Sequence, residues 1–314
     1  MSKAIKVFAP ATVANVSCGF DVLGFAVASP GDEAIVTMTD KPGVIIAKIT
    51  GDEGRLPLDP KKNTVSATII KMIEKLGSDK GFEIELHKKM PLGSGLGSSA
   101  ASSVAGIFAV NELLGKPLSP IELLPFAMEG ERLASGTAHA DNVAPALFGG
   151  FVLIRSYHPL DVIRIPTPTD LYASIVHPHI EVETRDARSI LRKEIKLKDA
   201  ITQWGNVAGL VTGLITNDYG LIGRSMEDVI VEPLRAILIP GFYEVKNAAL
   251  EAGALGGGIS GSGPSVFALS RGKETAQKAG NAMVKAFSTI GIESDLFVSQ
   301  INANGPIVID EYEN

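Results

Sequence analysis

Glycines at 93, 95 and 97 punctuate the run Pro91-Leu92-Gly93-Ser94-Gly95-Leu96-Gly97-Ser98-Ser99-Ala100-Ala101. Such spacing lets a backbone bend close to a bound group. A helix starting near Ser98 would point unpaired N–H groups and the positive end of its dipole at that group, which favours an anion, above all a phosphate. Ser98 and Ser99 add hydroxyls able to bond a phosphate oxygen or to ligate Mg²⁺. The run is not a Walker A loop, since the lysine of GxxxxGK[ST] is missing. Nor is it a protein-kinase loop, because no HRD or DFG triplet occurs in the chain. The plain alternative is a turn that tightens helix–strand packing.

A second cluster runs from Glu131 to Asn142, with a carboxylate at a helix end, a glycine break at Gly136, and then His139, Asp141 and Asn142 in a loop leading to the apolar GGFVLI. Glu131 facing a phosphate loop is what Mg²⁺ coordination requires; a solvated surface loop is the other reading. Asn15 and Asp21 lie in apolar PATVANVSCGFDVLGFA, where a carboxylate needs a partner, a ligand or a local turn to cap. Arg185, Arg188 and Arg235 could each clamp a carboxylate or simply face solvent. Gly256, Gly258 and Gly261 match GxGxxG, but a helix precedes them and a strand follows, the reverse of the dinucleotide-binding order. They read as a loop, covering the same pocket or merely turning the chain.

The elements that must hold these residues follow from pattern. Residues 3–9, 34–39 and 43–49 have strand composition, and 81–87 alternates with Phe82, Ile84 and Leu86 on one side. Asn63 caps a helix to residue 76 with Val65, Ile69, Met72 and Ile73 on one face. The helix after the glycine loop carries a stripe of Val104, Ile107, Phe108 and Leu114, and Ser119-Pro120-Ile121-Glu122 opens another as a capping box, ending before Gly136 with a kink at Pro125. Beyond a proline-rich change of character near 160–170, strands (LYASIVH, RAILIP, SVFALS, DLFVSQI) alternate with helices at about 187–193, 199–216, 242–252 and 273–289. The boundary divides the chain into 1–165 and 166–314, and DEYEN reads as a frayed end.

At 314 residues the length suits about two domains at roughly 150 residues each. With 29 basic against 35 acidic residues, the formal charge of −6 argues against a nucleic-acid partner. One cysteine, Cys18, excludes a disulfide framework and any zinc site needing two thiolates from this chain. The scattered histidines, His177 and His179 among them, read as exposed loop residues. No apolar run is long enough for a membrane span, and Lys6 and Asn15 break any signal-peptide core. The expectation is a cytoplasmic protein with no membrane partner.

PATVANVSCGFDVLG, PLGSGLGSSAAS and GALGGGISGSGPSVFAL, in that order, resemble the galactokinase, homoserine kinase, mevalonate kinase and phosphomevalonate kinase superfamily, the GHMP kinases. The likeness is closer to its homoserine kinase branch, through GTAHADNVAPALFGGFVLI, TRDARSIL and EPLRAILIPGF, and spans essentially the whole chain. It implies a two-domain α+β fold, with a left-handed βαβ crossover in the N-terminal half, an exception to the usual hand, and a ferredoxin-like sandwich in the C-terminal half. It implies ATP with its phosphates in the loop from Pro91 to Ala101, the Gly258–Gly263 loop facing the same cleft, and Mg²⁺ on Ser99 and Glu131. L-Homoserine, phosphorylated on its side-chain hydroxyl for threonine synthesis, would meet Asn15, Asp21, His139, Thr184, Arg188 and Arg235. A zwitterion wants a carboxylate for its ammonium and arginine for its carboxylate, which Asp21 and Arg188 with Arg235 supply. Mevalonate and shikimate lack the ammonium. The remaining alternative is a catalytically inactive binding protein of the same fold.

Two departures from the wider superfamily matter. Asn142 stands where mevalonate-kinase-like members carry an aspartate base, so it would orient the hydroxyl without deprotonating it. Val16-Ser17-Cys18-Gly19 stands where many relatives have Leu-Gly-x-Gly. Relatives are often dimers, and a homodimer is an open expectation here.

Overall fold

Alternating apolar residues lay down β1 (Lys3–Ala14), β2 (Leu23–Thr39) and β3 (Gly43–Thr50). The structure, a computed structural model, describes residues 3–136 and 139–313, so Thr137 and Ala138 of the GTAHADN segment lie outside the described residues. Helix α1 (Thr64–Leu76) begins where Asn63 accepts from the Val65 amide at 3.2 Å, and it buries Val65, Ile69 and Met72. It connects β3 to β4 (Gly81–His87), which lies parallel beside it, a βαβ unit. The glycine loop then opens α2 (Ser98–Leu113). This helix is buried nearly all round, Ser103, Gly106 and Asn111 included, and not along a single stripe, because its small residues let β1, β2, α1 and α3 (Pro120–Ser135) all pack on it. The capping box holds, with the Ser119 amide donating to Glu122 at 2.8 Å. Then come α4 (Ala140–Phe148) and the hairpin of β5 (Phe151–Tyr157) and β6 (Leu160–Ile165).

The rest of the chain supplies β7 (Leu171–Pro178), α5 (Thr184–Ser189), α6 (Leu197–Thr216), α7 (Tyr219–Ser225), α8 (Glu232–Arg235), α9 (Phe242–Glu251), β8 (Gly256–Ile259), β9 (Val266–Arg271), α10 (Lys273–Thr289), β10 (Ser294–Gln300) and β11 (Ile307–Glu313). A seven-stranded sheet holds β1 to β6 and β11, and an antiparallel four-stranded sheet runs in the order β10-β7-β9-β8. The second order is the ferredoxin-like arrangement. Both sheets share a core in which Phe25 meets Phe151 at 4.7 Å and Phe267 at 5.8 Å between ring centroids.

Several expectations fail for identifiable reasons. RAILIP is not a strand. The Asp228 carboxylate accepts from the amides of Ile230, Val231 and Glu232, which starts α8 and carries Arg235 on it, with a 3₁₀ turn over 236–238. Residues 256–259 form strand β8 and not a loop, since β9 offers them a ladder. Asp141 and Asn142 sit in the first turn of α4, whose Val143, Ala144, Ala146 and Leu147 bury an apolar face. The acidic end does not fray; it pairs along β1 as β11, covering an otherwise open edge. His177 is buried in β7 with Nδ1 3.3 Å from Ser265 Oγ, while His179 stays half-exposed beside Asp295.

Candidate active site

A cleft of about 730 Å³ opens between the glycine loop and the segments carrying the charged residues. At its loop end, Gly97 is the N-cap of α2 with φ 65°, a left-handed position, and a Cβ there would lie 2.0 Å from Thr12 Oγ1. Only glycine fits both demands. It brings no capping side chain, so the first amides of α2 stay available to an anion. The loop is pinned from the second sheet, as Ser260 Oγ donates to the Gly95 carbonyl at 2.7 Å and the Ser265 amide donates to the Ser94 carbonyl at 3.3 Å. From below it is pinned by a buried ion pair. Lys88 Nζ bonds the Asp32 carboxylate, the Ser98 carbonyl (2.9 Å) and Ser102 Oγ (2.6 Å), and Asp32 also accepts from Ser98 Oγ at 3.0 Å. Burial pushes the Lys88 ammonium below its usual range, against the pull of Asp32.

Ser99 Oγ donates to Glu131 Oε1 at 2.5 Å across the cleft wall. Burial raises the Glu131 carboxyl, so a nearby cation would relieve it. A hydroxyl and a carboxylate are oxygen donors suited to a hard divalent ion. Among the described residues no three His, Cys, Asp or Glu side chains converge, so such an ion would take its other ligands from phosphate and water.

The opposite end is ionic. Asp21 sits at φ 60° after a run of left-handed residues, Asn15 (72°), Val16 (40°) and Ser17 (58°), with β-branched Val16 the most strained. The loop is cross-braced: Asn15 Nδ2 donates to the Gly261 carbonyl at 2.7 Å, the Asp21 amide donates to Asn15 Oδ1 at 3.0 Å, and Gln203 Nε2 of α6 donates to the Cys18 carbonyl at 2.8 Å. Arg188 of α5 forks onto Asp21 at 2.8 and 3.2 Å. Arg235, buried, donates to the carbonyls of Ala187 and Gly261, and both guanidiniums lie over the Phe20 ring at 5.4 and 5.0 Å. Burial and the neighbouring Arg188 charge lower Arg235 to about 10, so at neutral pH two cations stand together wanting an anion.

His139 Nδ1 is 3.7 Å from Asp21 Oδ1, and burial keeps its imidazole below its usual pKa, hence neutral at pH 7. Its Nε2 is buried with no hydrogen-bond partner among the described residues. Thr12 Oγ1 donates to Asn142 Oδ1 at 2.7 Å, which leaves the Asn142 NH₂ for the cleft. Asp141 is pushed up to about 7 by burial and by the charges of Asp21 and Glu131. Cys18 is pushed up to about 12 by burial, which makes it an inert thiol.

Asn15, Asp21, His139, Thr184, Arg188, Arg235, Ser99, Glu131 and Asn142 all line the one cleft, as do Gly261 and Ser262 from the second glycine loop. Leu96, Ala100 and Ala101, given to the site by the sequence, are fully buried and shape the glycine loop without facing the cleft. Sequence reasoning missed Phe20 beneath the two guanidiniums, Lys88, and the wall of Lys62, Asn63 and Thr64. Lys88 carried a signal, a lysine one residue outside an alternating apolar strand, whereas Phe20 carried none.

Residues 63–150 match the GHMP kinases N terminal domain and 210–289 the GHMP kinases C terminal domain. The homoserine kinase of Chlorobium phaeobacteroides is 55% identical, over 98% of this chain and 100% of its own. That of Xylella fastidiosa is 41% identical, over 96% and 92%. The crystal structure of homoserine kinase from Cytophaga hutchinsonii superposes with a TM-score of 0.95 at 66% identity, covering 98% of this chain and 97% of that one. L. major mevalonate kinase, at 17% identity and a TM-score of 0.71, shares the fold. With both domains matched and full-length likeness well above that of distant fold relatives, the chain belongs to the homoserine kinases of the GHMP kinase superfamily.

Proposed function

We propose that the ionic end of the cleft holds L-homoserine and the glycine-loop end holds the phosphates of ATP. The chain transfers a phosphoryl group from ATP to the side-chain hydroxyl of L-homoserine, giving O-phospho-L-homoserine for threonine synthesis. The observation that carries the site assignment is one carboxylate, Asp21, facing two guanidiniums, Arg188 and Arg235, in the same cleft as a helix N-terminus built for an anion. That pattern suits an amino-acid zwitterion.

In this reading Asp21 takes the ammonium, and Arg188 with Arg235 takes the carboxylate. Arg188 occupies Asp21 without substrate, so the zwitterion must exchange into that pair, satisfying each ion as it separates them. An alcohol lacking either charge would strand one of them. Asn15, His139 and Thr184 line the same end, and the free Nε2 of His139 is placed to bond substrate. Asn142 orients the hydroxyl through its NH₂. An amide cannot accept the proton, so transfer rests on alignment and charge stabilisation; as the new O–P bond forms and the bond to ADP breaks, the hydroxyl oxygen turns acidic and its proton passes late to an oxygen of the transferred phosphoryl group and on to solvent. Ser99 and Glu131 hold Mg²⁺, which when bound neutralises charge on the phosphates.

The same reading divides the chain near residue 165. The first sheet's β6 ends at Ile165 and the second sheet begins with β7 at Leu171, although β11 crosses back. It also places the enzyme in the cytoplasm, without nucleic-acid or membrane partners and with room for a homodimer. No described helix is long and apolar enough to cross a membrane.

An ADP-release assay with Mg-ATP tests the substrate, with L-homoserine, D-homoserine, L-serine, mevalonate and shikimate offered in parallel. Preference for L-homoserine is expected. Turnover with mevalonate or shikimate instead would discard the zwitterion site, and silence on all five with ATP bound would favour a binding protein.

A further inference from the structure

Tyr157 bridges two segments of the cleft from behind. The ladder between β5 and β6 is irregular between Ile154 and Ser156. Such an irregularity re-aims the side chains that follow it. Ser156 stays outside, accepting from the His158 amide at 3.1 Å, and Tyr157 turns its half-buried ring onto the core. Strand β5 also runs beside β2, where the Ile154 amide donates to the Val22 carbonyl at 2.8 Å. That bond anchors the strand one residue past Asp21, within reach of the phenol.

The hydroxyl makes one bond in each direction. Tyr157 Oη donates to the Asp21 carbonyl at 3.1 Å and accepts from the Ala140 amide at 3.3 Å. Ala140 opens α4 and has no exposed surface, so its amide is one of those that a helix start leaves without an internal partner or solvent. The N-cap residue, His139, offers it no side-chain bond. Its ring stands in the cleft instead, with Nδ1 3.7 Å from Asp21 Oδ1. The helix cannot slide to compensate, because a Cβ on Gly24 of β2 would lie only 1.8 Å from the Asp141 carbonyl. On the other side, Asp21 holds a left-handed φ of 60°. A donor on its carbonyl fixes that peptide plane, and with it the direction of the carboxylate. Burial and the neighbouring Asp141 charge push the phenol up to about 12, so its proton is present at neutral pH.

We propose that Tyr157 is a positioning residue for the reaction, one hydroxyl that ties Asp21 and the first turn of α4 to each other. The inference rests on the proposed function, in which Asp21 takes the ammonium and Asn142, on that same turn, orients the hydroxyl. The spacing between those two groups sets where the attacking oxygen stands. Tyr157 is not among the residues that line the cleft, so it acts only through the segments it joins. A misplacement of about 1 Å in such a spacing costs up to about a hundredfold in rate. Phenylalanine in its place would keep the ring packed and lose both bonds, leaving the buried Ala140 amide unpaired.

Tyr157→Phe tests this, since it removes only the oxygen. With L-homoserine, kcat should fall about tenfold and KM rise about fivefold, while the ATP KM stays within about twofold of wild type. Hydrogen exchange of the full chain, read by mass spectrometry without substrate, adds a measurement independent of turnover. Exchange should quicken in peptides covering 19–23 and 139–144 and stay as in wild type across the four-stranded sheet. Wild-type constants, equal shifts in the homoserine and ATP KM, or unaltered exchange in those two segments would each overturn the proposal. So would exchange that quickens evenly over the chain, because the phenol would then serve stability at large. Silence of the wild type on L-homoserine would instead remove the substrate assignment, and the exchange pattern would by itself decide whether the phenol ties Asp21 to α4.

Discussion

The two ends of the cleft are built by different means. The glycine-loop end is contiguous in sequence, made of backbone donors and glycine geometry, and pinned from below by Lys88 and Asp32 and from the side by Ser260 and Ser265. Its recognising groups are in place before any ligand arrives. The ionic end is assembled from Asp21, His139, Arg188 and Arg235, whose elements are separated by most of the chain, and its charges are partly spent on one another. Backbone-built recognition is rigid because amides cannot choose another partner. Side-chain recognition is exchangeable because ions can. In the proposed function the second would confer substrate selectivity and the first the reaction class.

The largest expected effect falls at the junction of the two ends. Glu131→Gln should lower kcat by about 10²- to 10³-fold, the usual cost of losing one group that stabilises transition-state charge. Its thermal midpoint should be no lower than wild type, since the variant removes a buried carboxyl. Retention of more than a tenth of wild-type kcat would show that Mg²⁺ is held elsewhere. Arg235→Ala should separate the ends kinetically: the homoserine KM should rise by about 30- to 100-fold, for ~2–3 kcal/mol of charged hydrogen bonds. The ATP KM should stay within about twofold of wild type, and equal changes in both constants would break the comparison.

A smaller effect concerns Asp141, held near 7 in the folded chain against 3.8 for a free aspartate. A raised carboxyl pKa means that the folded state binds the proton more tightly, so the stabilisation is full below the unfolded pKa. It is lost as pH rises through about 7. Asp141→Asn should therefore be more stable than wild type at pH 8 by a few kcal/mol, with the advantage shrinking toward pH 4; urea unfolding at both pH values reads it. A pH-independent difference would mean that the proton is not what the site holds. The smallest effect is at Ser17, which sits at φ 58° with a buried hydroxyl that has no hydrogen-bond partner among the described residues. Ser17→Gly should stabilise by roughly 0.5–1 kcal/mol, as left-handed strain and the orphan hydroxyl go while backbone entropy takes some back. Destabilisation would mean that the hydroxyl has a partner in solution.

The glycine loop and the start of α2 were legible because the residues that shape them sit within a dozen positions of one another. The caps of α1 and α3 were legible for the same local reason. RAILIP was misread because its apolar run has strand composition, while the residue that decides it, Asp228, stands before the run and acts through its side chain on three amides. The DEYEN tail was misread because acidic residues at a chain end give no local reason to order; the open edge of β1 does. Phe20 lay hidden for the same cause, as its stacking partners Arg188 and Arg235 arrive from other elements.

Local chemistry alone thus determined a helix start opened by a glycine loop, an acidic chain without a disulfide framework, and strand-and-helix alternation of the α+β kind. Only the tertiary structure decided that Arg188 rests on Asp21 and that Asp141 faces the cleft from a helix. Those outcomes depend on desolvation and on charges meeting across long sequence separations, energies that exist only after the chain has packed.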